Sequence, residues 1–233
     1  KYAEQIASLA DMADQVVEEQ KGHISGKLSL GVGITVVAYF LPAMLPKWME
    51  EHPLVQLFIT QGQGHELQQA ALDDRLDLII CAGMKWDPRL QRQFVFSDRL
   101  VVVSAANHAL SQRDLVTLSE LSKEKMILPP SYSSIRGDVE EVAHRYGVRF
   151  KVGVEVSRLD PAVRLCEAGV GIAVLPESVA SVEAASKRLS VLNVEGFPRT
   201  CPYFLGYRAD KVLTREMTSF LYAVQLWIQE RDH

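Results

Sequence analysis

The stretch 27-KLSLGVGITVVAYFLPAMLPKWMEEHP-53 opens as a strand and closes as a helix. Leu28, Leu30, Val32 and Ile34 alternate with Ser29, Gly31 and Gly33, the period of two expected of a strand with one buried face. From Thr35 onward the apolar residues follow helical spacing, which predicts a helix to Glu51. A strand that turns into a helix within one residue is the first half of a β-α-β unit. The two glycines and the hydroxyl at the junction mark it as a candidate for chemistry.

Outward from this stretch the same rhythm repeats. Leu54 to Thr60 is strand-like, and Glu66 to Asp74 is helical with Leu67, Ala70, Ala71 and Leu72 inward. "DLIICAG" from Asp77 is a short continuous apolar run, as in a buried parallel strand. Leu90 to Phe96 and Leu100 to Ala105 read as two further strands. After the loop "ANHALSQRD" comes a second round. Lys125 to Leu128 is a strand, Ile135 to Tyr146 a helix closed by Gly147, and Phe150 to Val156 a strand. "DPAVRLCEAG" reads as a helix with Asp160 as N-cap, Pro161 in the first turn and Gly169 just past the end. "VGIAVLP" is a buried strand, and Pro176 opens the next helix. Strands follow at 188–194 and 203–207, then a closing helix from Thr214 to Glu230. This is an α/β chain of two similar halves around open parallel sheets, joined near Ser104 by crossover strands. The first twenty residues read as one helix. Tyr2, Ile6, Leu9, Ala13, Val16 and Gln20 make a short heptad seam, which either lies on its own domain or pairs with another helix.

Composition excludes several classes. A net charge of −4 and a pI near 5.9, with basic residues scattered among acids, argue against nucleic-acid binding by this chain alone. Cys81, Cys166 and Cys201 are widely spaced, and no Cys/His ligand spacing occurs, so buried thiols are expected and a metal site or other cofactor is not. No apolar run reaches the roughly 18 residues of a membrane span, and no signal peptide stands out. The chain opens on Lys1 and reads as a fragment of a longer cytoplasmic protein.

"GKLSLGVGITVVAYFLPAMLPKWMEEHPLVQLFITQGQGHELQQAALDDRLDLIICAG" resembles the effector-binding domain of LysR-type transcriptional regulators. The resemblance rests on Gly31, Thr35, Leu41 with Pro42, Pro53, Gly62 and Asp77 to Ile80. "LVVVSAANHAL" is similar to a second family segment, with Ala109 where the family has Pro. "LCEAGVGIAVLPESVA" is similar to a third, through Gly169, Gly171, Leu175 and Pro176. The resemblance implies a fold like the type 2 periplasmic binding proteins, two Rossmann-like subdomains with a ligand cleft between them, preceded by a linker helix. It implies a linker or dimerisation helix over 1–21, regulatory subdomain I over 22–103 and 208–233, and regulatory subdomain II over 104–207. It also implies self-association, as a dimer and as a tetramer in the full-length form, with DNA contacted only through an N-terminal domain. The alternative with the same fold is a solute-binding protein of a transporter.

In open α/β sheets ligands sit beyond the carboxyl ends of the strands. Thr35, Val36 and Val37 lie at such an end and begin a helix, where amide groups and the helix dipole favour an anion. Thr35 either caps the helix or offers its hydroxyl to a ligand, and the two valines favour an organic acid over an inorganic anion. Gln61, Gly62 and Gln63 reach the same edge, as a solvated turn or as amide contacts. Ser131, Tyr132, Ser133 and Ser134 cluster before another helix, as caps or as hydroxyls on the same anion. Arg136 and Arg158 are candidate counter-charges. Nucleophile elbows, P-loops, dinucleotide fingerprints and carboxylates paired on a shared loop are missing from the sequence, so an enzyme is not expected, and the resemblance implies a sensor of a small, anionic effector.

Overall fold

The computed structural model describes residues 24–83 and 85–231 of the 233. The helix expected over 1–21 lies outside the described residues. Among the described residues the elements run β1 (Ser25–Val32), α1 (Leu41–Glu51), β2 (Leu54–Gln61), α2 (Gly64–Leu72), β3 (Leu78–Ala82), β4 (Leu90–Ala105), α3 (Leu118–Leu121), β5 (Lys125–Leu128), α4 (Ser134–Arg145), β6 (Lys151–Glu155), α5 (Leu159–Glu167), β7 (Ile172–Pro176), α6 (Glu177–Ala185), β8 (Leu189–Leu192), β9 (Arg199–Arg208) and α7 (Arg215–Arg231).

The chain divides into two compact units. The first holds the described residues up to Cys81, Lys85–Val95 and those from Phe204 on; the second holds Phe96–Tyr203 with Ala82 and Gly83. The chain thus changes unit inside β4 and inside β9, several residues before the expected joins near 104 and 208. The sequence suggested two strands where β4 is one strand of 16 residues. Its polar step survives because it is satisfied by the start of α6. Asp98 accepts from the Ser178 hydroxyl at 2.6 Å, and the Arg99 guanidinium pairs with Glu177 at 2.5 Å.

In the first unit β1 lies between β2 and β3, all parallel. Leu28, Leu30 and Val32 are buried on one face of β1. Gly31 points to the other face, where a side chain at this position would meet Leu76 Cδ1 at 2.4 Å and Leu67 Cδ2 at 2.9 Å. This glycine therefore lets α2 pack close to the strand, which the alternation alone did not reveal. The core on this side joins Leu67, Ala70 and Ala71 of α2 to Leu76, Ile79, Cys81 and Leu90. α1 packs with α7, and α7 with β1. Trp48 is buried edge-on against Phe220, with ring centroids 5.2 Å apart. Full burial of side chains of this size stabilises the unit by about 1.5–3 kcal/mol each.

The helix expected over 35–51 is not uniform. Val36–Phe40 is a π-helical segment, closed where the Leu41 amide donates to the Val36 carbonyl five residues back. Pro42 follows at the start of α1. Its ring would crowd the carbonyl of Ala38 in a regular α-turn and it has no N–H to give, so a wider turn is the local solution.

In the second unit β5 pairs with β6 and β7 in parallel, while β4 runs antiparallel to β7 and to β8. The sheet is therefore mixed, not purely parallel as the β-α-β rhythm suggested. Its core is Val101, Val103, Ile127, Val163, Cys166, Leu175 and Leu189 with small residues of α5 and α6. Gly171 allows the approach of β7 to β5, since a side chain there would meet the Lys125 carbonyl oxygen at 2.5 Å. The short α3 was not foreseen; it stands on a capping box in which Thr117 and Glu120 satisfy each other's amides.

Candidate functional site

The register of the first unit brings the ends of three strands to one edge. Val32 pairs with Gln61, the Gly62 amide donates to the Val32 carbonyl at 3.1 Å, and the Gly33 amide donates to Ile80 at 2.9 Å. The turn after β1 and the loop after β2 are therefore neighbours, as the sequence predicted. Thr35 is 2% exposed and already helical in φ and ψ, and its side chain makes no capping bond. The N-cap role considered for it is overturned: the carbonyl that opens the helix is that of Gly33, which accepts from Val36 at 3.0 Å and Val37 at 3.3 Å. The amides of Val36 and Val37 are thereby taken up within the turn itself. Val36 is fully buried and Val37 half-buried.

Gln61 is exposed at the last position of β2. Gln63 is the N-cap of α2 in a capping box: its side chain accepts from the Glu66 amide while its own amide donates to Glu66 Oε2 at 3.0 Å. Gly62 lies between them. It is not in the left-handed region, and its lack of a side chain instead leaves room for Leu67 Cδ2, which a Cβ would approach to 3.1 Å.

The second unit builds a similar edge. Leu128 pairs with Glu155, and the Val156 amide donates to the Leu128 carbonyl at 3.1 Å. The loop from Pro129 to Ser133 and the loop carrying Arg158 thus leave the sheet side by side. Ser133 is the N-cap of α4 in extended conformation, 8% exposed, and its hydroxyl makes no capping bond. The loop is closed by the Ser133 amide donating to Pro130 at 3.0 Å. Ser131, Tyr132 and Ser134 are exposed. Arg136 is occupied by the scaffold: it donates to the Pro129 carbonyl at 3.1 Å and pairs with Glu140 at 2.7 Å. Arg158 is exposed at the N-cap position of α5 and reaches only Asp160, at 3.6 Å. Asp160 itself lies within the first turn, so the cap expected of it falls to Arg158. The helix starts two residues early because Arg158, at φ −123° and ψ 149°, is the last extended residue.

Neither edge offers a nucleophile with a base. The three cysteines are buried, and burial pushes the thiols of Cys81 and Cys201 up to about 12 and that of Cys166 to about 11. A thiol held protonated is a poor nucleophile. Among the described residues no group of three His, Cys, Asp or Glu could hold a metal, and no helix is long and apolar enough to cross a membrane. Both edges carry hydroxyls and helix starts, and that of the second unit adds the exposed Arg158, groups of the kind that hold an anion.

Comparison with known proteins identifies the fold and the family. The RuBisCO operon transcriptional regulator of Allochromatium vinosum is 25% identical over 213 residues, which cover 91% of this chain and 70% of the relative. The HTH-type transcriptional regulator CbbR of Rhodospirillum rubrum is 27% identical over 221 residues, 94% of this chain and 72% of the relative. Among solved structures, the regulatory domain of Synechocystis PCC6803 CcmR in complex with 2-PG superposes with a TM-score of 0.80 at 24% identity, covering 87% of this chain and 97% of that one. The effector-binding domain of QuiR in complex with shikimate gives 0.80 at 19% identity, with 89% and 99% covered. These structures share the fold, that of LysR effector-binding domains. The sequence profile described as LysR substrate binding domain matches residues 21–227, and the chain therefore belongs to that family.

Proposed function

We propose that this chain is the effector-sensing domain of a LysR-type transcriptional regulator and that its effector is a small organic anion. The observation that carries the reading is the pairing of Val32 with Gln61, which sets the Thr35 turn beside the Gln61–Gln63 loop at the carboxyl edge of parallel strands. The contacts assigned to the effector are Thr35, Val36, Val37, Gln61, Gly62 and Gln63 from the first unit and Ser131, Tyr132, Ser133, Ser134 and Arg158 from the second. The amides of Val36 and Gly62 already donate to Gly33 and Val32, so these two residues shape the edge that the effector meets. Arg158 supplies the formal positive charge. Shikimate, a carboxylate, bound to a structural relative, supports the ligand class.

The effector acts by binding one conformation better than another, since only differential affinity shifts an equilibrium. The regulator assembles as a dimer, and as a tetramer in its full-length form, in the cytoplasm, and meets DNA through an N-terminal domain. The test is calorimetric titration of the purified chain with a panel of small carboxylates and phosphate esters that includes 2-PG and shikimate. At least one saturable one-site isotherm is expected, accompanied by a rise in Tm. Silence across the panel, with no metabolite seen by native mass spectrometry of the freshly purified chain, would overturn the reading.

A further inference from the structure

In the first unit α1 and α7 leave a groove of about 360 Å³ between them. Ile24, the residue before β1, also lines it, so the groove lies at the amino end of β1 and the Thr35 turn at the other end. Its volume falls within the roughly 300–1,000 Å³ of small-ligand sites. Met44 and Trp48 are its buried part, and the half-buried Trp227 and the exposed Tyr222 line it from α7. Trp48 stands edge-on to Phe220 and Trp227 edge-on to Phe40, the latter pair with centroids 4.7 Å apart, so neighbouring rings hold both indoles in place.

The polar groups inside the groove are spent on each other. Trp48 Nε1 donates to the Ser219 hydroxyl at 2.8 Å, and that hydroxyl meets His52 Nε2 at 2.6 Å. The interior therefore suits an apolar body. The mouth is different, because Lys47, Glu51 and Glu230 stand there. Lys47 comes only to 4.0 Å from Glu230, with side chains 69% and 68% exposed, and so open a pair contributes little. Glu51 is exposed and has no cationic partner among the described residues. The mouth thus carries one negative charge in excess. Carboxylates beside indole rings favour a cation, which aromatic faces also attract. A carboxylate ligand would be repelled and would find only Lys47, already shared with Glu230.

We propose that this groove is a second small-molecule site and that it takes an amphipathic amine. The apolar or aromatic body lies between α1 and α7, and the ammonium group sits at the mouth with Glu51 and Glu230. The site is separate from the edge assigned to the organic anion and selects the opposite charge. α1 continues directly from the turn that follows Thr35, so an amine held against α1 bears on the helix that opens that edge.

Titration of the whole 233-residue chain with a matched pair of probes, 2-phenylethylamine and 3-phenylpropionate, tests this. Trp48 and Trp227 are two of the three tryptophans in the chain, so their emission, excited where neither probe absorbs, reads the groove. The amine is expected to give a saturable change with a half-point of about 1 mM or below, and the acid to bind at least about tenfold more weakly. Glu51→Gln combined with Glu230→Gln is expected to weaken the amine roughly threefold or more, with Tm close to that of the parent. Ala223→Phe fills the groove and is expected to abolish the change. Ala43 lines the groove at an exposed position, where a substitution leaves the fold intact. Ala43→Arg is expected to weaken the amine at least about fivefold by bulk and charge. The proposal is overturned if the amine gives no saturable change, or if the acid binds as tightly as the amine. It is equally overturned if Ala43→Arg, or a folded Ala223→Phe, binds the amine like the parent. A response that appears only on dilution of the protein also overturns it and assigns the groove to a second copy of the chain.

Discussion

Thr35 is buried and helical, yet its side chain caps nothing. A hydroxyl kept at such a position without a capping partner is expected to serve something other than the helix. The sequence placed it just beyond β1 and left it as a cap or a ligand contact; the cap alternative fails, although a threonine before an apolar run looks like a cap whichever residue closes the turn. Gly31 carried a similar ambiguity. Its glycine was legible, but the reason for it, the approach of Leu67 and Leu76, depends on residues more than thirty positions away. Gly31→Val is therefore expected to fold less stably by about 1–3 kcal/mol, the usual cost of overpacking, read as a drop in urea midpoint. The cysteines give a second expectation. With thiols raised well above neutrality by burial, the native chain should incorporate almost no thiol reagent at pH 8 on the timescale of minutes, while the urea-unfolded chain should label at all three. Rapid labelling of the folded chain would show that one of the three pockets opens. Asp138 adds a pH test. Burial raises its pKa despite Arg199 nearby. A carboxyl raised in the folded state loses stability as pH rises through the range between its unfolded and folded pKa. Asp138→Asn is expected to gain Tm relative to the parent at pH 7, and the difference should shrink as pH falls below the ordinary carboxylate range. A gain that is equal at both pH values would remove ionisation as the cause.

Elements with a local signature were readable and those that depend on distant partners were not. β3 and β7 are continuous apolar runs, and the Pro176 that opens α6 fixes its own boundary. The π-helical turn at Val36–Phe40 was missed because it is the backbone's response to Pro42, not a pattern of side chains. β4 was broken in two because Ser97, Asp98 and Arg99 look like a turn until Glu177 and Ser178 are seen to satisfy them. The antiparallel direction of β4 against β7 has no signature in a run of valines. The tie between α1 and α7 is also invisible in sequence, since Trp48 and Ser219 are 171 residues apart. Ser219→Ala removes the acceptor of a buried indole N–H. It is expected to cost about 1–3 kcal/mol, the price of an unsatisfied buried donor. Chemical denaturation reads this loss, and Ser219→Thr, which keeps the hydroxyl, should lose less. Equal losses in the two variants would assign the effect to packing instead.

At the scale of the whole molecule, the chain carries a formal charge of −4. Its guanidiniums are largely matched by carboxylates, as at Arg99, Arg136, Arg188 and Arg199. Few cations are left for phosphates, so the chain by itself is expected to show no sequence-selective shift of duplex DNA at physiological salt. A tight, selective shift by this chain would assign DNA recognition to the effector domain itself. The central proposal is that Thr35 and Ser133 each contact the same small organic anion. The most direct measurement is a calorimetric double-mutant cycle with the effector found in the panel, using Thr35→Val, Ser133→Ala and the pair. A hydrogen bond to a charged ligand is worth about 1.5–3 kcal/mol, or roughly ten- to a hundredfold in Kd. Each single variant is predicted to lose that much affinity with its Tm lowered only slightly, and the two losses should fail to add because both hydroxyls act on one ligand. Parent-like Kd values for both single variants would contradict the account.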